Sequence, residues 1–391
     1  MSSFMRRHFK WYEVICKSCG LAILRSPGTA DSDADVNHFW NKLRIIYSVV
    51  CLSVCASVEL SYVYQLWLAV FVHDRVFTTA LYVLIYVACA SKVALNTCVA
   101  LVKARSLQTL LRESCKYERS VQFVAPKNRR TLTPTHCVVR PLLLVAFAAN
   151  VCTSSYLSFK FVDRLGYGPA LRAVVMLASI AGNFLFYVYD TVSFLVLRPC
   201  CEVIRLYIEH QHEVLRCIVK ITRTQNAGQE KRARLVERVR LNLCTVSHLK
   251  GTLNQIWGCS IAVSGAVLLC TSCIGIYLNF VEEFWTPDHL LNILYTVSTS
   301  LDFLDITNLS DSMVREVRKI RNTLQKVRTS SEDRDYVDQV RYLRDCLKAG
   351  EMALSGAGFF SLKLPMLVSL AGTVITYTVI LVQTSESVKK G

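Results

Sequence analysis

The chain combines 391 residues, 52% of them hydrophobic, and a mean hydropathy of +0.34 with a formal net charge of +16. That hydropathy, gathered into apolar runs of about 20 residues, excludes an ordinary soluble globule and marks an all-α, polytopic membrane protein. The positive charge then calls for no nucleic-acid partner, because loop charge that orients membrane spans accounts for it.

Residues 1–42 carry Arg6, Arg7, Lys10, Lys17, Arg25 and Lys42 without an apolar core. No cleavable signal peptide is expected, and the first span acts as its own insertion signal. Residues 43–197 hold four spans: Leu43 to Phe71, Val76 to Val102 behind a His73-Asp74-Arg75 hairpin, Cys137 to Val162, and Leu171 to Leu197. A basic segment from Lys103 to Arg130 separates the second from the third.

Residues 198–256 read as helical extensions, since Val236, Val239, Leu243, Val246, Leu249 and Leu253 recur at threes and fours. The stripe runs straight into a fifth span, Trp257 to Val281, as one helix of about 50 residues, or roughly 75 Å at 1.5 Å per residue. Asn226-Ala227-Gly228 divides it from a like extension of the fourth span. A sixth span, His289 to Leu309, completes residues 257–309 and is interrupted by Asp302 and Asp305. Across 310–357 two further stripes, Val314 to Val327 and Tyr336 to Leu347, flank a break at Thr329-Ser330-Ser331. Each stripe needs a partner surface, so the extensions are expected to pack into one bundle. Residues 358–384 form the seventh span and 385–391 a short tail.

Orientation follows from Lys and Arg counted by alternate sides. The N-terminus and the segments after spans 2, 4 and 6 hold about 35, and the opposite side about 4. The N-terminus and the helical extensions are therefore expected in the cytoplasm and the C-terminus outside. The one Asn-x-Ser/Thr sequon with an allowed middle residue, Asn308-Leu309-Ser310, falls on the cytoplasmic side and is expected to stay unmodified.

No Gly-rich phosphate loop precedes a helix and no catalytic constellation stands out, so no enzyme is expected. Cys16-x-x-Cys19 lacks a second pair and reads as a free or lipidated cysteine pair near the membrane. His210-Gln211-His212 lacks a third ligand and reads as a solvated helix face; no metal or cofactor is expected. Glu59, Lys92, Asp190, Asp302 and Asp305 lie within spans, where an unpaired charge costs at least about 2.5 to 3.5 kcal/mol, so each should be paired or face water. Asp302 and Asp305 share a helix face and are read either as partners of basic residues such as Arg315 at the cytoplasmic end or as part of a permeation path.

Tyr156, Phe159, Met176, Asn183, Tyr277, Phe280, Asn292 and Tyr295, with Trp285 and His289 in a turn, offer apolar faces and polar tips on the outer halves of spans 3 to 6. They suit a small-molecule pocket and equally an interfacial aromatic belt. In the last span Thr376, Ile380 and Gln383 fall at i, i+4 and i+7 and share a face that is polar, apolar, polar. That edge should face protein or water, unless Gln383 is only an interfacial residue at a span end.

Thr376-Tyr377, five mostly apolar residues, then Gln383 resembles the arthropod gustatory receptor signature of Thr-Tyr, five hydrophobics and Gln-Phe. The resemblance extends upstream through Gly358, Phe360, Leu367, Ser369, Gly372 and Val374. Thr384 departs from the usual Phe, Lys363 from the usual Asp or Asn, and Thr378 interrupts the hydrophobic run, as in a divergent member. The resemblance implies a ligand-gated, non-selective cation channel opened by a small-molecule tastant. It also implies a plasma-membrane protein of chemosensory neurons, assembled in lipid as a homo- or heterotetramer with related receptors.

By position, the resemblance puts Ile380 in a hydrophobic gate, Gln383 in a polar ring at its outer mouth, and Thr376 and Tyr377 just below. A G-protein-coupled receptor is the alternative, given Asp163-Arg164-Leu165 after span 3. The expected orientation and the absence of Asn-Pro-x-x-Tyr from span 7 weigh against it. A secondary transporter would show two related halves with interrupted helices, and no such repeat is visible.

Overall fold

In lipid an apolar segment can satisfy its backbone only as a helix or a closed barrel, and this chain is nearly all helix. The computed structural model describes residues 3–21, 34–72, 76–124, 134–164, 168–224, 229–281, 287–326 and 334–390. The expected hairpin at 73–75, the breaks at 226–228 and 329–331, and Trp285 lie outside the described residues.

Ten helices are described: α1 Phe4–Ser18, α2 Ala34–Val72, α3 Val76–Val102, α4 Ala104–Ser120, α5 Pro134–Arg164, α6 Pro169–Thr224, α7 Gln229–Val281, α8 Pro287–Gln325, α9 Arg334–Cys346 and α10 Leu364–Lys390. Among the described residues, α3, α5, α6, α7 and α10 are long and apolar enough to cross a membrane, and α2 carries a shorter apolar stretch, Ile45–Ser61. α8 falls outside that group because His289, Asn292, Asp302 and Asp305 lower the hydropathy of its apolar stretch, and all four are buried against neighbouring helices.

The longest helices set the architecture. α6 has 56 residues and α7 has 53, each about 80 Å at 1.5 Å per residue and more than twice the hydrocarbon thickness. α6 is the hub, touching α1, α2, α3, α5, α7 and α8. The stripes of the extensions meet as their spacing requires. Val236, Val239, Val246 and Leu249 of α7, Val314, Val317 and Ile320 of α8, and Tyr336, Val340 and Leu343 of α9 are all buried in one core.

Two sequence expectations change, at Gln211-His212 and at the start of the last span, and two regions gain detail. The basic segment after α3 contains a well-formed amphipathic helix, α4, whose Leu107, Leu110, Leu111 and Tyr117 are buried while its arginines point outward. Gln211 and His212 are not a solvated face. Gln211 donates to the Tyr117 hydroxyl at 3.0 Å, and His212 Nε2 lies 3.0 Å from Thr323 Oγ1. Cys16 and Cys19 are buried, and burial pushes the Cys16 thiol up to about 12, so it is a packing residue rather than an exposed thiolate.

The second change concerns the start of the last span. Residues expected to begin that helix at Gly358 form a β-hairpin instead, Ser355–Gly356 (β1) paired with Phe360–Ser361 (β2), and α10 begins only at Leu364. Ala357 and Gly358 both have positive φ, 50° and 86°, and Phe359 N–H donates to the Gly356 carbonyl at 2.9 Å, the geometry of a tight hairpin turn.

The sequon lies inside α8. The Ser310 hydroxyl is fully buried and accepts the Leu354 N–H at 2.9 Å. Asn308→Gln should therefore leave electrophoretic mobility unchanged, with or without glycosidase. A glycosidase-sensitive shift that disappears in this variant would contradict both the burial and the expected sidedness.

Candidate functional site

Two regions are candidates, an exposed face of α10 and a buried polar layer between α3, α6 and α8. α10 is the least buried of the five apolar helices, with 11% of its apolar window inside the chain's own bundle against 61% for α7. It packs on α7 and touches α8 lightly. The side facing α7 is recorded by Val374 and Thr378, both buried. The Cys273 thiol reaches the Val374 carbonyl at 3.7 Å, and the Thr378 hydroxyl donates to the Cys273 carbonyl at 3.5 Å. Thr378, which interrupts the hydrophobic run in sequence, is thus accounted for by a polar contact between helices.

The opposite side carries Thr376, Tyr377, Ile380 and Gln383, all exposed, with Ile380 at 48% and Tyr377 at 52%. Leu381, one position round the helix from Ile380, is half-buried and packs on the core. An apolar helix face turned away from its own bundle must meet lipid or another chain.

The hairpin ties the start of α10 to the long helices. Ser355 N–H donates to Asn254 Oδ1 at 2.8 Å, Asn254 returns its amide to Ser355 Oγ at 2.8 Å, and Lys250 Nζ reaches the Glu351 carbonyl at 2.7 Å. Gly258 of α7 allows this approach, since a Cβ there would lie 3.2 Å from the Ala357 nitrogen. A chain of rings, Phe194 on α6, Phe303 on α8 and Phe360 on β2, links the buried layer to the hairpin, with centroids 6.4 Å apart at each step.

The buried layer accounts for the charges within the spans. Lys92 of α3 is 1% exposed, and its ammonium donates to Asp190 Oδ2 of α6 at 2.8 Å. The Tyr295 hydroxyl of α8 donates to Asp190 Oδ1 at 3.0 Å, and Asn96 donates to the Asp190 carbonyl at 2.7 Å. Lys92 also sits over the Tyr295 and Phe194 rings at 5.6 and 5.9 Å, so the cation has an anion and two π faces.

One stretch along α6, Arg198 pairs with Asp302 at 3.3 Å and with Asp305 of α8. This corrects the expected partner: Arg315 sits 3.7 Å from Asp311 on its own helix, and the cation that Asp302 and Asp305 share comes from α6. Glu59 of α2 accepts the Tyr86 hydroxyl of α3.

The ligand candidates divide. Asn183 is buried and donates to Ser158 Oγ at 3.2 Å. Tyr277 is buried edge-on against Phe77, with centroids 6.0 Å apart, and Tyr295 belongs to the Asp190 network. Asn292 is buried beside α7, close enough that a Cβ on Gly275 would lie 3.1 Å from its Nδ2. Both polar atoms of Asn292 and the Thr296 hydroxyl have no hydrogen-bond partner among the described residues. A buried amide left that way costs about 1–3 kcal/mol, which makes this pair available to a ligand or a water.

Tyr156 and Phe280 are exposed, at 55% and 75%, and fit the interfacial belt better than a pocket. Phe159 stacks under the Arg172 guanidinium at 5.3 Å, and Met176 lines a small cavity beside it. Thr296 was missed in sequence, where one threonine in an apolar helix carries no signal until its neighbour across α7 is known to be glycine.

A bundle of long apolar helices with paired buried charges and one apolar helix left at the edge has the character of a multi-pass membrane protein. The 7tm Chemosensory receptor family model matches residues 27–387, and the chain belongs to that family. Its fold is similar to the insect olfactory receptor OR5 from Machilis hrabei in complex with eugenol, at a TM-score of 0.70 and 14% identity over 97% of this chain and 98% of that one. A second structure of OR5 from Machilis hrabei matches over the same shares at a TM-score of 0.61 and 14% identity. No curated protein matched the sequence. Members of this family are chemosensory receptors and not enzymes.

Proposed function

We propose that this chain is a gustatory-type receptor, a tetrameric cation channel of the plasma membrane opened by a small-molecule tastant. In this reading α2, α3, α5, α6, α7, α8 and α10 are its seven spans, with the N-terminus cytoplasmic. The observation that carries it is the exposed face of α10. Thr376, Ile380 and Gln383 share an edge that the chain's own bundle leaves uncovered, as a helix meeting copies of itself around an axis requires. A ring of isoleucines closes a pore by excluding water, and ligand binding need only bias the open arrangement by a few kcal/mol.

The ligand is proposed to bind around Asn292 and Thr296, with Asn183, Tyr277 and Tyr295 in the surrounding wall. The relative crystallised or imaged with eugenol supports a small organic molecule as the ligand class. The Phe194, Phe303 and Phe360 rings supply a packed route from that layer to the hairpin at the foot of α10.

Whole-cell recordings from cells expressing the receptor, alone and with related receptors, should show inward cation current on addition of one member of a broad tastant panel. Asn292→Leu should shift that response at least about tenfold, because a site built to hydrogen-bond a ligand discriminates strongly once the partner is lost. Surface-expressed receptor that never conducts in either setting would count against the channel reading.

A further inference from the structure

A cavity of about 940 Å³, separate from Asn183, Tyr277, Asn292 and Tyr295, is lined by α1, α5 and α6, with Ser298 and Asp302 of α8. It has two chemically distinct ends. At one end Arg140 of α5 meets Glu202 of α6, Glu202 also takes the His8 ring nitrogen at 2.7 Å, and Arg7 and Arg205 line the same end. At the other end Phe147 of α5 meets Phe184 of α6 with ring centroids 5.8 Å apart. From Arg140 to Phe147 is about 10 Å along the helix at 1.5 Å per residue, so charge gives way to apolar lining within two turns.

The mouth is finished by α1. Arg7, Trp11 and Ile15 fall at i, i+4 and i+8, one stripe that lines the cavity, while Met5, Phe9 and Cys16 bury the opposite face. Trp11 is 77% exposed and Leu144 of α5 is 71% exposed, which is costly in water and natural at the edge of a bilayer.

The helix is firmly held at its N-terminal end. The Glu118 carboxylate of α4 accepts the Phe4 and Met5 N–H groups at 2.7 and 2.9 Å and the Tyr207 hydroxyl at 2.5 Å. A carboxylate there also opposes the positive end of the helix dipole. The cavity is therefore built between anchored elements.

The charge balance selects the occupant. The lining holds four arginines, Arg7, Arg140, Arg198 and Arg205, against two carboxylates, Glu202 and Asp302. Glu202 is engaged by Arg140 and His8, and Asp302 by Arg198; among the described residues Arg205 pairs with Glu209, one turn on along its own helix, at 3.5 Å. We infer that this cavity binds a glycerophospholipid with an anionic headgroup, the headgroup on Arg7 and Arg205 and one acyl chain along Leu144, Phe147 and Phe184. The inference needs the chain to sit in a bilayer and is independent of gating.

The test uses the full-length receptor in a nonionic detergent, with its melting temperature followed against dioctanoyl phosphatidylserine, dioctanoyl phosphatidylcholine and inorganic phosphate. Phosphatidylserine should raise the melting temperature saturably and at lower concentration than phosphatidylcholine, and phosphate alone should not raise it. Arg7→Gln with Arg205→Gln should weaken the phosphatidylserine effect by roughly fivefold for each arginine removed. Arg119→Gln, the same charge change on the exposed face of α4, should behave as wild type.

If the double variant melts lower without lipid, Arg7→Gln alone, on an exposed position, carries the same comparison. Equal responses to the two lipids would remove the headgroup from the proposal. A response to phosphate equal to that of phosphatidylserine would reassign the cavity to a soluble anion. Unchanged affinity in the arginine variants would overturn the site.

Discussion

Ile380→Ala is expected to raise current in the absence of ligand, and Gln383→Lys to suppress ligand-evoked cation current. Both residues lie on the face of α10 that the chain's own helices leave exposed, and Thr376 shares that face one turn earlier. If four copies meet there, four isoleucines form a dry constriction that four alanines would widen and wet.

Gln383→Lys would set positive charges around the path of a cation. One such charge at about 5 Å contributes roughly 3 kcal/mol of repulsion at an effective dielectric near 20, before salt screening. Leu381→Ala is the control, because Leu381 turns toward the core and its truncation should lower thermal stability while leaving basal current alone. Normal conduction in surface-expressed Gln383→Lys, together with unchanged basal current in Ile380→Ala, would remove α10 from the pore.

The second large effect is at Lys92 and Asp190. Lys92→Met leaves Asp190 buried with only the hydroxyl of Tyr295 and no cation within contact distance in the described network. Breaking a buried pair by removing one partner costs about 3–5 kcal/mol, a large share of the 5–15 kcal/mol that holds a typical domain together. Surface expression and the melting temperature in detergent should both fall sharply.

The double variant Lys92→Met with Asp190→Leu removes both charges and should recover most of the loss, because a well-packed apolar pair replaces a buried ion pair at little net cost. A single variant that melts like wild type would mean that water, and not Lys92, balances Asp190. A double variant as damaged as the single one would mean that packing around Phe194 and Tyr295, and not charge, holds the layer.

The membrane class, the helical extensions and the face shared by Thr376, Ile380 and Gln383 were legible in the sequence, because each rests on local periodicity that lipid and a packed core both enforce. Val236, Val239, Val246 and Leu249 were bound to be buried wherever their partners came from. The start of α10 was not legible: Phe359, Phe360 and Leu362 continue the apolar character of the span that follows. Their hairpin exists because Asn254, Gly258 and Ser310, far away in the chain, receive it.

The charges within the spans show the same division. That Lys92, Asp190, Asp302 and Asp305 must be compensated follows from the cost of bare charge in lipid. Which groups compensate them is decided by helix order, which sets Arg198 beside Asp302 and Asp305, and leaves Arg315 to its own helix. Sequence therefore determines which side chains need partners, whereas only the packing of α3, α6 and α8 chooses them, since residues about a hundred positions apart share no periodicity that could announce their contact.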